Sequence, residues 1–250
     1  MSLRWAQEIY QERVAEAVTP ATRWLDAGCG WHVLPAWPTE PGWQLPAERD
    51  LVARAALVVG VDVAREIAKH RTIKRLVLAD LRALPFREGA FTLVTLNMVA
   101  EHLREPETVF REIGRTLANE GSLLLHTPNA HSYFALSHWL PHRMKLWLLR
   151  KLGDDRADTD VFPTVYLANT IRRLRTLGIA EGLTVRRLEM LTGIPSLPRR
   201  WRFMYALEAA VLKLLDTPAG RPFRSTMIVQ FLKEKSRPGP SRPSASSPPV

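Results

Sequence analysis

The chain of 250 residues has one cysteine, Cys29. No disulfide can form within it, and a reducing cytosol is the expected setting. No run approaches the roughly 20 consecutive apolar residues that span a bilayer. The opening stretch, Met1 to Glu8, lacks the apolar core of a signal peptide. Internal repeats are missing. His131, His138 and His142 lie close in sequence but lack the companion ligands that define a zinc centre, so no metal site is expected. Acids are fewer than bases: 25 Asp and Glu against 35 Lys and Arg give a formal charge of +10. That balance permits anionic partners such as nucleic acid, a phospholipid surface or a phosphorylated acceptor, without selecting one.

What is present centres on Trp24-Leu25-Asp26-Ala27-Gly28-Cys29-Gly30. An apolar, strand-like run ends in an acid and breaks into two glycines, a turn that lets backbone approach a ligand closely. Leu57 to Asp62 and Leu76 to Asp80 repeat the acid-tipped pattern. An acid at such a tip is placed to accept hydrogen bonds from ribose hydroxyls. Three of them on one sheet edge mark a nucleoside site. A dinucleotide fingerprint would need a third glycine where Val33 stands, and pyrophosphate disfavours a facing carboxylate such as Asp26. S-adenosylmethionine carries an ammonium and a sulfonium and no phosphate, so nearby acids favour it.

On these residues the chain resembles the class I S-adenosylmethionine-dependent methyltransferases, whose first motif runs acid-x-Gly-x-Gly. The match continues through Asp62, Asp80, Leu84-Pro85-Phe86, Phe91 to Val94, Glu101-His102-Leu103 and Thr127-Pro128-Asn129, the order found in the type-11 subgroup. The resemblance covers about residues 22–130. It implies S-adenosylmethionine as cofactor, held by Asp26, Gly28, Gly30, Asp62, Val63, Asp80, Leu81 and Asn97. Asp80 would meet the exocyclic amine of adenine, with backbone help from Leu81. The family usually has an acid where Thr92 stands, so a structural contact there is expected to be lost.

Alternating strands and helices argue an α/β fold: a doubly wound, Rossmann-like sheet of seven mostly parallel strands, helices on both faces and helical lid insertions. Five segments are expected: an N-terminal helix (1–21), the cofactor-binding core (22–130), a lid and helix (131–181), C-terminal strands with an inserted helix (182–235) and a Ser/Pro/Arg tail expected to be disordered (236–250). Trp5, Ile9, Tyr10 and Val14 have helical spacing. Pro35, Pro38 and Pro41 interrupt the helix that would follow the glycines, delaying it to about Pro46, and Trp31, Trp37 and Trp43 either wall an aromatic pocket or pin that loop. Further strands are expected at Phe91 to Asn97, Ser122 to His126, Leu183 to Met190 and Thr226 to Lys233. Asn119 to Ser122 reads as a connecting loop. Between the last two strands, Met204, Leu207, Val211, Leu214 and Leu215 form one face of a helix from Trp201 to Leu215.

Residues 133–152 alternate large apolar side chains with His, Arg and Lys, which suits either a lid over an acceptor site or a helix in a membrane interface. His131, Tyr133 and Trp139 are candidate acceptor contacts. His102 is the candidate general base because its reference pKa lies near neutrality; Glu101 would orient it, and His126 and His131 are second choices. The expected activity is methyl transfer to a small-molecule, sugar or lipid-linked acceptor, at oxygen. The expected place is the cytoplasm, with peripheral contact at the inner membrane face. Two other readings compete: an RNA methyltransferase using the arginine-rich C-terminal third, and a non-catalytic partner keeping the fold. Asn97-Met98-Val99-Ala100 stands where an Asn/Asp-Pro-Pro-aromatic tetrad would serve base methylation, so nucleic acid is not the expected partner.

Overall fold

The computed structural model describes residues 5–30, 48–132, 163–193 and 200–235. Val33, the tryptophans at 31, 37 and 43, the segment 133–152 with Tyr133 and Trp139, and the tail lie outside these residues. Seven strands form one sheet: β1 (Arg23–Ala27), β2 (Leu57–Asp62), β3 (Leu76–Leu78), β4 (Phe91–Asn97), β5 (Leu117–Pro128), β6 (Leu183–Leu191) and β7 (Thr226–Lys233). Their order is β3-β2-β1-β4-β5-β7-β6. The first five run parallel, and β7 pairs antiparallel with both β5 and β6. Strand order reverses between β1 and β4, the place where ligands bind at the carboxyl ends of such sheets.

The central strands are apolar on both sides because both faces are covered. On one face Leu25, Val59, Val61, Val94, Leu96, Leu123 and Leu125 pack with α3 (Pro106–Thr116) and α4 (Ile171–Ala180). Pro106 opens α3 with its fixed φ, Glu107 follows in the first turn, and Val109, Phe110 and Ile113 make the buried stripe. The Thr170 side chain caps α4 by accepting from the Arg173 amide at 3.2 Å. On the other face Trp24, Val58, Leu93, Leu124 and Ile228 pack with Tyr10 and Val14 of α1 (Ala6–Ala17) and Leu51 of α2 (Glu48–Arg54). Burying a side chain such as Trp24 or Tyr10 contributes roughly 2–3 kcal/mol each, which anchors α1 on this face.

Several expectations are corrected. The strand β3 ends at Leu78, so Asp80 stands in the following turn. Ala64 to His70, which reads as a short helix in the sequence, forms a 3₁₀ turn over residues 65–69. Asn119 to Ser122 is part of β5, not a loop: Leu117 already pairs with Phe91, and the register shifts before Ser122 pairs with Leu93. The contact expected to be lost at Thr92 is supplied otherwise. Its hydroxyl accepts the Arg23 amide at 3.0 Å, while the Arg23 guanidinium bonds the carbonyls of Ala90 and Gly89. Carbonyl oxygens do there what a carboxylate does elsewhere.

The helix expected from Trp201 forms as α5 (Arg202–Leu215). Its apolar stripe is the exposed side: Leu207 is 56% exposed and Leu214 66%, while Leu212 and Glu208 are buried.

Candidate active site

The turn after β1 begins where the β1–β2 ladder carries over: the Gly28 and Cys29 amides donate to the Val61 carbonyl at 2.7 and 3.2 Å. Gly28 has φ +73° and Gly30 φ +53°, the left-handed region that glycine enters without a Cβ penalty. The two differ in what they face. A Cβ on Gly28 would lie 2.5 Å from Val99 Cγ2, so this glycine lets the β4 loop close against the turn. A Cβ on Gly30 would meet nothing within 4 Å among the described residues. Cys29 is buried, and burial pushes its thiol well up, away from the reactive thiolate.

Asp26 shares the Trp24 face of β1 by alternation and is 3% exposed. Register places it opposite Thr95 of β4. The Thr95 hydroxyl donates to Asp26 Oδ1 at 2.6 Å and accepts from Trp24 Nε1 at 2.7 Å. Desolvation lifts the Asp26 carboxyl to about 7, aided by the charges of Glu48 and Asp62 and opposed by the Thr95 bond. A buried acid poised there gains from a cation arriving beside it. Asp62, at the end of β2, takes the Gly30 amide on Oδ2 at 2.9 Å and the Ala64 amide on Oδ1 at 2.8 Å. Each oxygen keeps a second lone pair, so the same carboxylate braces the glycine turn and can still accept a hydroxyl. Val63 beside it is 61% exposed, and Leu81 and Asn97 are half-buried.

Asp80 is engaged differently. The Arg82 guanidinium holds both its oxygens, Nη2 to Oδ2 at 2.7 Å and Nε to Oδ1 at 3.1 Å, and also pairs with Glu105. The Arg82 bonds hold the Asp80 carboxyl below its usual range. An adenine amine expected at Asp80 therefore shares or displaces Arg82, a competitor that sequence reading missed although it stands two residues away.

Past β4, Glu101 and His102 form a 3₁₀ turn. Glu101 is 2% exposed, and burial raises its carboxyl to about 7. The Thr127 hydroxyl donates to Glu101 Oε2 at 2.9 Å, and Asn169 Nδ2 donates to the Thr127 oxygen at 2.6 Å. His102 Nδ1 lies 3.2 Å from the Pro163 carbonyl, so that nitrogen carries the proton and Nε2 is the acceptor. Glu101 Oε1 stands 3.9 Å from His102 Nε2, outside hydrogen-bonding distance; the expected orienting contact is made by Pro163 instead. His126 is stacked on Tyr10 with ring centroids 5.4 Å apart, gives its Nδ1 hydrogen to Asn97 Oδ1 at 2.9 Å, and is pushed down to about 4 by burial. His131 is exposed. Thr95 and Asn169 were not foreseen, and Thr127 was named only within a matched motif; Thr95 left a signal, as a polar residue on the β4 face that registers against Asp26.

Comparison with known proteins agrees with this geometry. Residues 25–125 match the family model described as a methyltransferase domain. Over 123 residues the chain is 31% identical to a malonyl-[acyl-carrier protein] O-methyltransferase of Legionella pneumophila, a match covering 46% of this chain and 39% of that relative. The protein YcgJ of Bacillus subtilis superposes with a TM-score of 0.55 at 15% identity, over 91% of this chain and 98% of that one. The geranyl diphosphate C-methyltransferase of Streptomyces coelicolor, solved with S-adenosyl-L-homocysteine, superposes with a TM-score of 0.51 at 16% identity, over 91% and 78%. At those identities the solved structures speak for the fold. Over residues 25–125 the chain therefore matches a methyltransferase domain, in a fold shared with these solved structures, and it spans 39% of the length of the curated methyltransferase it matches.

Proposed function

We propose that the protein transfers a methyl group from S-adenosylmethionine to a small-molecule or lipid-linked acceptor, at oxygen. The observation that carries this reading is the buried Asp26 carboxyl beside the open backbone of Gly30. Those features fit a cofactor with a positive centre and no phosphate: the acid supplies the counter-charge, and the glycine leaves room. When bound, the cofactor supplies an electrophilic methyl on a sulfonium.

The chain's own residues bind and orient it. Asp26 would ionise beside a positive charge, with Thr95 holding the carboxylate in place. Asp62 would accept the ribose hydroxyls with the lone pairs left by Gly30 and Ala64. Asp80 and Leu81 would hold the adenine, with Val63 and Asn97 as further contacts. For an acceptor hydroxyl, His102 Nε2 takes the proton, its tautomer fixed by the Pro163 carbonyl; such a base contributes about 10²–10⁴-fold. Glu101, with Thr127 and Asn169, holds the turn that carries His102. His131, Tyr133 and Trp139 are the proposed acceptor contacts. The relatives' names point to oxygen in one case and carbon in the other, and oxygen is favoured here by His102.

Titration calorimetry with S-adenosylmethionine tests the cofactor site: binding to the native chain and its loss in Asp26→Ala support the reading, and equal affinity in both contradicts it. Screening of metabolite and lipid extracts with a labelled methyl donor then identifies the acceptor.

A further inference from the structure

The outward face of α5 has no counterpart in the site chemistry described so far. Phe203 is 81% exposed, Met204 48%, Leu207 56%, Val211 37% and Leu214 66%. They recur at helical spacing along one side of fourteen residues, about 21 Å of helix. Contiguous exposure of this kind marks an interaction surface. The opposite side, Glu208 and Leu212, is the buried one, so the helix is seated with its apolar stripe outward. Its C-terminal end is tied down. The Arg224 guanidinium donates to the carbonyls of Leu215 at 3.0 Å, Asp216 at 2.7 Å and Met190 at 2.9 Å. Thr192 donates to Asp216 Oδ1 at 3.0 Å.

The rim decides the occupant. Between residues 200 and 224 the cations are Arg200, Arg202, Lys213, Arg221 and Arg224, against the acids Glu208 and Asp216. Glu208 is buried and Asp216 is paired with Arg224, while Arg202, Lys213 and Arg221 are exposed. A second copy would bring the same positive rim and be repelled, whereas an anionic surface is attracted. Trp201, half-buried with Arg200 5.8 Å over its ring, adds the amphipathic side chain typical of the bilayer interface. We propose that α5 is an interfacial helix that docks the protein on anionic phospholipid bilayers. It lies in the plane of the headgroups, with Phe203, Leu207 and Leu214 entering the acyl boundary and the arginines and lysine on the phosphates. Docking would bring the tip of β5 toward the surface, because Asn129 Nδ2 bonds the carbonyls of Pro222 and Arg224 at the base of this segment.

The test is co-sedimentation of the full chain with sized vesicles, without cofactor, so its outcome is independent of methyl transfer. Vesicles of phosphatidylcholine mixed with phosphatidylglycerol are expected to retain the protein, pure phosphatidylcholine to retain about tenfold less, and added salt to release it. The double variant Phe203→Glu/Leu207→Glu is expected to lose about tenfold or more of the bound fraction while its thermal midpoint and circular dichroism stay unchanged. Arg202→Gln/Lys213→Gln is expected to lose the preference for phosphatidylglycerol. Failure of the native chain to sediment with anionic vesicles overturns the proposal. So does an unfolded or strongly destabilised glutamate variant, which would show that the face packs within the chain. A native dimer that the glutamate variant converts to monomer overturns it in favour of self-association.

Discussion

The glycine turn after β1 and the helix α5 carry equally clear sequence patterns, and the fold treats them in opposite ways. At the turn, the pattern and the burial agree: Trp24 and Leu25 are fully buried, Asp26 is 3% exposed, and the acid-tipped strands end on one sheet edge. In α5 the apolar stripe is just as regular, yet it is the side left in solvent. The difference lies in what constrains each segment. A central parallel strand is covered on both faces, so its apolar residues have no outward choice. For a helix in the connection between β6 and β7, amphipathic spacing does not say which side is buried.

The comparison is broken or sharpened most strongly at Gly28. Gly28→Val places a branched side chain at φ +73° and against Val99, and left-handed backbone alone costs about 1–2 kcal/mol; calorimetry is expected to show no cofactor binding, with a lowered thermal midpoint. Next comes α5 itself. Leu212→Ala is expected to cost about 2–5 kcal/mol as a buried truncation, and Leu207→Ala less than about 0.5 kcal/mol, measured by urea unfolding. Equal losses would mean that the stripe is packed. At the catalytic turn, His102→Ala is expected to lower turnover about 10²-fold or more with cofactor affinity unchanged; an unaltered rate on the identified acceptor removes His102 as base. The smallest effect is expected at the adenine side, where Arg82→Ala frees Asp80 and changes cofactor affinity by about twofold.

The pH dependence of stability has a worked sign. Asp26 and Glu101 titrate in the folded chain near 7, above their unfolded values. Their contribution is fully present below about pH 4 and is lost as pH rises through 7. His126, held down near 4, acts oppositely: it destabilises below about pH 4, and its penalty fades as pH rises toward the reference value of about 6.5. Thermal midpoints of Asp26→Asn across this range should show a weaker decline toward neutrality than those of the native chain.

Most of the sheet was legible in the sequence because apolar runs, turn glycines and acids recur in a fixed order; the β7 limits, Thr226 and Lys233, agree with the structure. The expected cofactor edge follows the same pattern: Asp26 lies one residue before the end of β1, and Asp62 ends β2. What was hidden depends on contacts distant in sequence. Thr95 meets Asp26 across 69 residues, and Asn169 reaches Thr127 across 42. The Arg82 fork on Asp80 was local, but a charged neighbour in a turn carries no periodic signal. His102 was chosen for its type and place, yet the Pro163 carbonyl, 61 residues away, is what places the proton on Nδ1.

The central claim is that a buried carboxyl near neutrality at the end of β1 receives a positively charged methyl donor. It is tested most directly by calorimetric titration of S-adenosylmethionine from pH 6 to pH 8, on the native chain and on Asp26→Asn. The account requires affinity to rise by up to about tenfold across that range as Asp26 ionises, and to be weaker and nearly flat in the variant. Native and variant chains binding alike at every pH would contradict it.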